Sequence, residues 1–436
     1  QNHCFLLRDY LPRGIRWYMA VALGNRYRRS RGLVVTAASV AFVSAVLQFS
    51  PLARACPAIV FFAKPPRRPL AVFSPRGCGR VAPRRAGAAA EETEIEKTAQ
   101  LNEAAGMGDI TNVVELLEAG VAPDARGPDG QVATVSAAAA GRLDVISTLL
   151  EAGAPVDLAN ANGVTALISA SHYGHMDLVD RVLKARASVH ASTSSGATAL
   201  VAAAEGGQTA VVDRLLLEGA SVDQPSAQDA TALVLAAQEG KLETVHRLLE
   251  AGASVDRPTV TGATALMAAS QRGWSEVVAE LLDARAEPDR QDERGATAII
   301  LAAQSGQYEV VSLLVEVGAN GNLTRSDGVT ALMLASQNGH ILAVEELLKL
   351  NCTLEAERDD GGTALMFAAM MGKADVVARL LEAGANKDHV ASKGATAIQL
   401  AAQNQHPVVV KILTAAGASG TRGVGRAVDI NDLFSD

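Results

Sequence analysis

The chain has 436 residues, is apolar overall yet only 3% aromatic, and carries a formal net charge of −8. That length would ordinarily supply two or three domains, and its Ala, Val and Leu suit short, closely packed helices. The charge is split: residues 1–90 hold 15 Lys and Arg against one acid, Asp9, while the remainder holds 24 basic against 46 acidic residues. An acidic body of this kind excludes nucleic-acid binding, which needs clustered cations, and favours basic segments or surfaces of other proteins.

In chain order, the first element is a leader over residues 1–90. Arg26, Arg28, Arg29 and Arg31 precede an uncharged run from Gly32 to Ala53, and Ala53-Arg54-Ala55 sets small residues where a signal peptidase reads. Met19 is a candidate start, so residues 19–55 read as a signal-like segment. Residues 56–90, rich in Arg, Pro and Ala and free of acids, read as transit-like. Together with Phe61 and Phe62 they resemble the two-part leaders that carry proteins into plastids lying within the secretory route. Simple secretion, or a signal anchor left uncleaved over residues 32–53, is the alternative address, and membrane contact is expected only in the anchored case.

Of four cysteines, Cys4, Cys56 and Cys78 fall in the leader and only Cys352 in the body. A single thiol makes neither a disulfide framework nor a zinc site. Cys352 therefore reads as a small apolar filler.

From Gly130 the body repeats every 33 residues. Gly163, Gly196, Asp229, Gly262, Gly295, Gly328, Gly361 and Gly394 follow without an insertion, and an alanine stands three places after each. Counting back one period reaches Lys97 and makes ten repeats, the first degenerate. Such a period means a stacked array. Within one unit, Thr264 is a capping residue ahead of a thin first helix, Gly273 ends that helix, and Val277, Val278, Leu281 and Leu282 mark the buried stripe of a second. The array is expected over residues 91–427, with a short acidic tail at 428–436.

These features resemble the ankyrin repeat. "GVTALMLASQNGHILAVEELLKL", Gly328 to Leu350, matches that family's opening, its Gly-His pair and its Val/Leu helix. The resemblance implies an all-α solenoid of helix-turn-helix repeats joined by β-turn fingers. It also implies a non-catalytic scaffold, adaptor or escort that binds peptide segments or basic surfaces of other proteins along its concave face. Two departures carry expectations. The family histidine is replaced by Ile168, Val201, Val234, Met267, Ile300, Met333, Met366 and Gln399, so apolar contact must replace a hydrogen bond. The glycine that ends helix two is Arg186, Arg285 and Asn351 in three repeats; a left-handed arginine costs about 1 kcal/mol, so the units opening at Gly163 and Gly262 should be softer than their neighbours.

No catalytic motif persuades: the chain lacks G-x-S-x-G, Walker A and H-E-x-x-H sequences. Neither catalytic nor metal-ligating residues, nor a cofactor or small-molecule substrate, are expected, unless the chain is a fragment whose catalytic domain lies elsewhere. His175, His340 and His406 read as structural caps. The candidate binding residues lie nine places after each anchor: His172, Glu205, Gln238, Gln271, Gln304, Gln337, Met370 and Gln403. Tyr173, Trp274 and Met371 join them as candidate contacts, with Tyr308, since aromatic and pliable side chains lead interfaces. The reading is of a monomer.

Overall fold

The computed structural model describes residues 85–350 and 352–419. The leader readings, Gly32–Ala53 among them, the glycine-slot residue Asn351 and the tail at 428–436 lie outside the described residues.

Twenty helices and no named strand are present among the described residues, so the fold is an all-α solenoid. They come in ten pairs. The first four pairs are α1 (Arg85–Met107) with α2 (Ile110–Glu118), α3 (Ala133–Ala139) with α4 (Leu143–Glu151), α5 (Ala166–Tyr173) with α6 (Met176–Lys184), and α7 (Ala199–Gly206) with α8 (Thr209–Leu217). Next come α9 (Ala232–Gln238) with α10 (Leu242–Glu250), α11 (Ala265–Arg272) with α12 (Ser275–Asp283), and α13 (Ala298–Ser305) with α14 (Tyr308–Glu316). The last are α15 (Ala331–Asn338) with α16 (Ile341–Lys349), α17 (Ala364–Met370) with α18 (Ala374–Glu382), and α19 (Ala397–Gln403) with α20 (Pro407–Ala415). Helix α1 is longer than any other first helix and begins ahead of residue 91, in an alanine-rich stretch that favours helix.

From α5 onward each first helix starts at the threonine that the sequence marks, whereas α3 starts at Val132. The Thr165 hydroxyl accepts the Ile168 amide at 3.3 Å, and Thr264 accepts that of Met267 at the same distance. The apolar residues in the family's histidine slot, from Ile168 to Met366, are buried, so burial takes the place of the missing hydrogen bond. First helices pack on first helices and second helices on second helices, giving two layers with one continuous apolar core between them. Leu167, Leu178, Val179 and Val182 show what one repeat gives to that core: each is essentially inaccessible. Burying such a side chain is worth about 1.5–3 kcal/mol, and a repeat gains it only with a neighbour on each side.

The fingers between repeats are stitched by backbone. Ser194 N donates to Asn162 O at 2.9 Å, Glu293 N to Thr261 O at 3.0 Å and Ser392 N to Asp360 O at 3.0 Å. A side-chain ladder runs beside them: the Asp157 carboxylate accepts Ser188 N at 3.0 Å, Asp289 accepts Asn320 N at 2.8 Å and Asp388 accepts Ser419 N at 2.7 Å, always 31 residues on. His190 and the donor-less Pro155 break the ladder in the early repeats.

Two glycine slots with the same left-handed backbone differ in what surrounds them. At the anchor slot, a Cβ on Gly262 (φ +79°) would stand 2.9 Å from Glu293 N of the next finger. At the end of helix two, a Cβ on Gly252 (φ +82°) would meet nothing within 4 Å. This explains where the sequence departs from glycine. Arg186 and Arg285 take φ values of +65° and +67° in the open slot, where only backbone strain opposes a side chain. From Gly130 onward Asp229, at φ +52°, is the one non-glycine anchor, and the finger bond beside it, Val260 N to Gln228 O, measures 3.1 Å.

Candidate functional site

The candidate residues are positioned by the last turn of each first helix. His172, Gln238, Gln271, Gln304, Gln337, Met370 and Gln403 close α5, α9, α11, α13, α15, α17 and α19, and Glu205 lies in the last turn of α7. Stacking at a fixed period therefore brings them into one row on the first-helix side. Most are exposed or half-buried. Where the row is polar, neighbours approach: His172 Nδ1 stands 3.9 Å from Glu205 Oε2. Within one repeat, Gln238 Nε2 donates to Glu239 Oε1 at 3.1 Å. Met370 is half-buried and packs on the core, while Met371 beside it is exposed. The larger Phe367 on the same helix is buried, and its ring has room because Gly362 stands where other repeats have Val, Ala or, once, Gln131.

The residue after the one that ends the first helix, a glycine everywhere but at Gln405, has a second role that its varied identity conceals. In six repeats, at Arg142, His175, Gln208, Trp274, His340 and His406, it reaches back 36 positions to the carbonyl at the end of the previous first helix, one of the groups a helix leaves unpaired. Trp274 Nε1 donates to Gln238 O at 2.9 Å; His340 Nε2 and Gln304 O are 3.2 Å apart, and His406 Nε2 and Met370 O 3.0 Å. The same side chains lie over the preceding turn: a Cβ on Gly240 would meet the Trp274 ring at 2.5 Å, and one on Gly306 the His340 ring at 2.5 Å. His175 follows the pattern against Ala139 O at 3.3 Å. The histidines expected as structural caps are thus caps of the neighbouring repeat. Trp274 shares their position and still shows part of its ring. Tyr173 is the most exposed aromatic of the described array, edge-on to His172 at 4.9 Å and stacked on His175 at 6.2 Å.

Electrostatics vary along the array. Arg358 pairs with Asp360, which holds that carboxyl below its usual range, and lies over the Phe367 ring at 4.9 Å. Burial pushes the Asp256 carboxyl up, against the amide of Glu287 that it accepts at 3.1 Å. On the second-helix side His246 lies between Glu280 at 2.7 Å and Glu250 at 3.2 Å, and both hold its imidazolium on to higher pH. Cys352 is buried and its thiol is pushed up to about 11, far from the range of a nucleophile. Its sulfur fills the space left by Gly321, where Val156, Val189, Val222 and Val255 stand in four other repeats. Among the described residues no group of three His, Cys, Asp or Glu is placed to hold a metal ion, and no helix is long and apolar enough to cross a membrane.

With this geometry in place, the family description for ankyrin repeats matches residues 101–193, 175–259, 255–325 and 332–422. The chain belongs to the ankyrin repeat family. Ankyrin repeats generally mediate protein–protein interaction, and the family is typically non-catalytic. No curated protein matches this ankyrin chain.

Proposed function

We propose that this ankyrin array is a non-catalytic scaffold or adaptor that grips client proteins along its first-helix face, the concave side expected of the family. The row of glutamines at Gln238, Gln271, Gln304, Gln337 and Gln403 carries the reading. Each offers both a donor and an acceptor, at one register, to an extended segment lying across the repeats. The acidic balance of the body adds a preference for basic clients. The leader directs the array to a plastid. The experiment is proximity labelling with the full-length chain in its own cell, beside a Gln271→Ala/Gln304→Ala/Gln337→Ala variant. The reading expects a plastid neighbourhood and loss of a defined client set in the variant. An unchanged set would remove the first-helix face, and a nuclear or cytosolic set would remove the address.

The uncharged run of 22 residues from Gly32 to Ala53 favours a second reading, an array displayed at a membrane. Carbonate extraction separates the two: the anchored chain stays in the pellet and the cleaved chain leaves it.

A further inference from the structure

Consecutive second helices are joined by polar rungs between residues 34 positions apart. Arg181 Nε donates to Ser147 Oγ at 3.2 Å, Arg214 to Asp180 at 2.8 Å and Arg247 to Asp213 at 2.9 Å; Arg379 lies 3.8 Å from Glu345. Between α10 and α12 the polarity is reversed, with Glu280 in the arginine slot facing His246 at 2.7 Å. Between α14 and α16 the rung is Ser312 with Glu346 at 3.3 Å. The pair between α12 and α14 breaks this series: Leu313 holds the arginine slot and Ala279 faces it. Two further pairs lack a rung: Val114 faces Thr148, whose hydroxyl donates to Asp144 O of its own helix at 3.0 Å, and Ala378 faces Ile412, where Arg379 and Lys411 are chain neighbours and a cation is already at hand.

At the broken rung the surface dips into a shallow depression, largely open to solvent, of about 450 Å³. Ala279 and Leu313 contribute its apolar part, Tyr308 stands at the start of α14, and Glu276, Glu309 and Glu316 contribute carboxylates. Among the described residues no cation comes within ion-pair distance of those three. The fourth carboxylate, Glu346, is held by Lys349 at 2.7 Å. A groove with apolar ground and unneutralised acid walls fits a side chain with a long aliphatic stem and a charged planar head. The array places that same side chain, arginine, between second helices at four other rungs.

We propose that this groove receives an arginine from a partner protein. Its methylene stem lies on Ala279, Leu313 and the Tyr308 ring, and its guanidinium supplies the missing rung against Glu276, Glu309 and Glu316. The site lies on the layer opposite the glutamine row, so a partner here and a client there bind without competing.

The test is fluorescence anisotropy of the full-length chain with a labelled Gly-Leu-Arg-Ala-Leu-Arg-Gly peptide and its citrulline counterpart, which keeps the shape and removes the charge. The arginine peptide binds about tenfold more tightly than the citrulline peptide. An Ala279→Asp/Leu313→Arg variant, which builds the array's own rung across the groove, loses that preference, and a distant Glu118→Gln, which removes one exposed carboxylate elsewhere, keeps it. A Glu276→Gln/Glu316→Gln variant, altered at the walls alone, reads the same loss should the first pair of changes disturb folding. Equal binding of the two peptides, or full binding by both groove variants, overturns the proposal.

Discussion

Two alanine substitutions at glycines with nearly the same backbone separate local strain from contact between repeats. Gly252→Ala, at φ +82° with open space around it, costs the left-handed strain alone, about 1 kcal/mol. Gly262→Ala, at φ +79°, carries the same strain and adds a clash, since its Cβ would lie 2.9 Å from Glu293 N and 3.0 Å from Asp292 Cα. Comfortable contact needs about 3.5 Å, so the finger must retreat by about half an ångström. The Glu293 N to Thr261 O bond, now 3.0 Å, is then stretched to its limit. Losing that bond adds about 1 kcal/mol, for a total of about 2 kcal/mol. Urea denaturation gives the difference in stability, and hydrogen exchange at the Glu293 amide locates it, because only the anchor variant should accelerate there. Equal losses in the two variants, with Glu293 still protected in both, would refute the account of the anchor glycine as a contact between repeats.

Arg186→Gly and Arg285→Gly should each stabilise the array by about 1 kcal/mol in urea, by relieving the strain of a left-handed arginine. Gly362→Val should destabilise by about 1–3 kcal/mol through overpacking against the Phe367 ring, and adding Phe367→Leu should recover most of the loss, a coupling that a double-mutant cycle measures. His246 has a raised folded pKa, so its stabilising contact with Glu280 and Glu250 is complete below its unfolded value, about 6.5, and is lost as pH rises through the folded value. Proton NMR should show it titrating above 6.5, and Glu280→Gln should bring it back down.

The period, the helix pairs and the buried stripes were legible from the chain because each depends on residues within one unit: Thr264 caps, Gly273 turns, and Leu281 faces inward wherever the unit is placed. The strained arginines were legible too, since a missing glycine shows against its equivalents. What could not be read directly were the pairings across a repeat boundary. The side chains that cap the previous helix are Arg, His, Gln and Trp, and they share no chemistry except a long reach and an N–H. Trp274 therefore stood out as an aromatic for a partner, although its indole N–H is already engaged with Gln238 O. Size exchanges hid for the same reason: Gly321 with Cys352, and Gly362 with Phe367, look like isolated substitutions until the space one leaves is seen filled by the other. The broken rung at Ala279 and Leu313 likewise appears only when positions 34 apart are set side by side.

Every bond between repeats described above joins residues 31 to 36 positions apart, whether the carbonyl capped by Trp274, the finger amide of Glu293 or the carboxylate ladder from Asp157 to Asp388. The chain therefore closes loops of one length however many units it contains. Loop-closure entropy rises only with the logarithm of that length, so the tenth unit costs no more to dock than the third. Mean contact separation stays fixed while the molecule grows, so the closure cost of each added unit does not rise with the number already stacked.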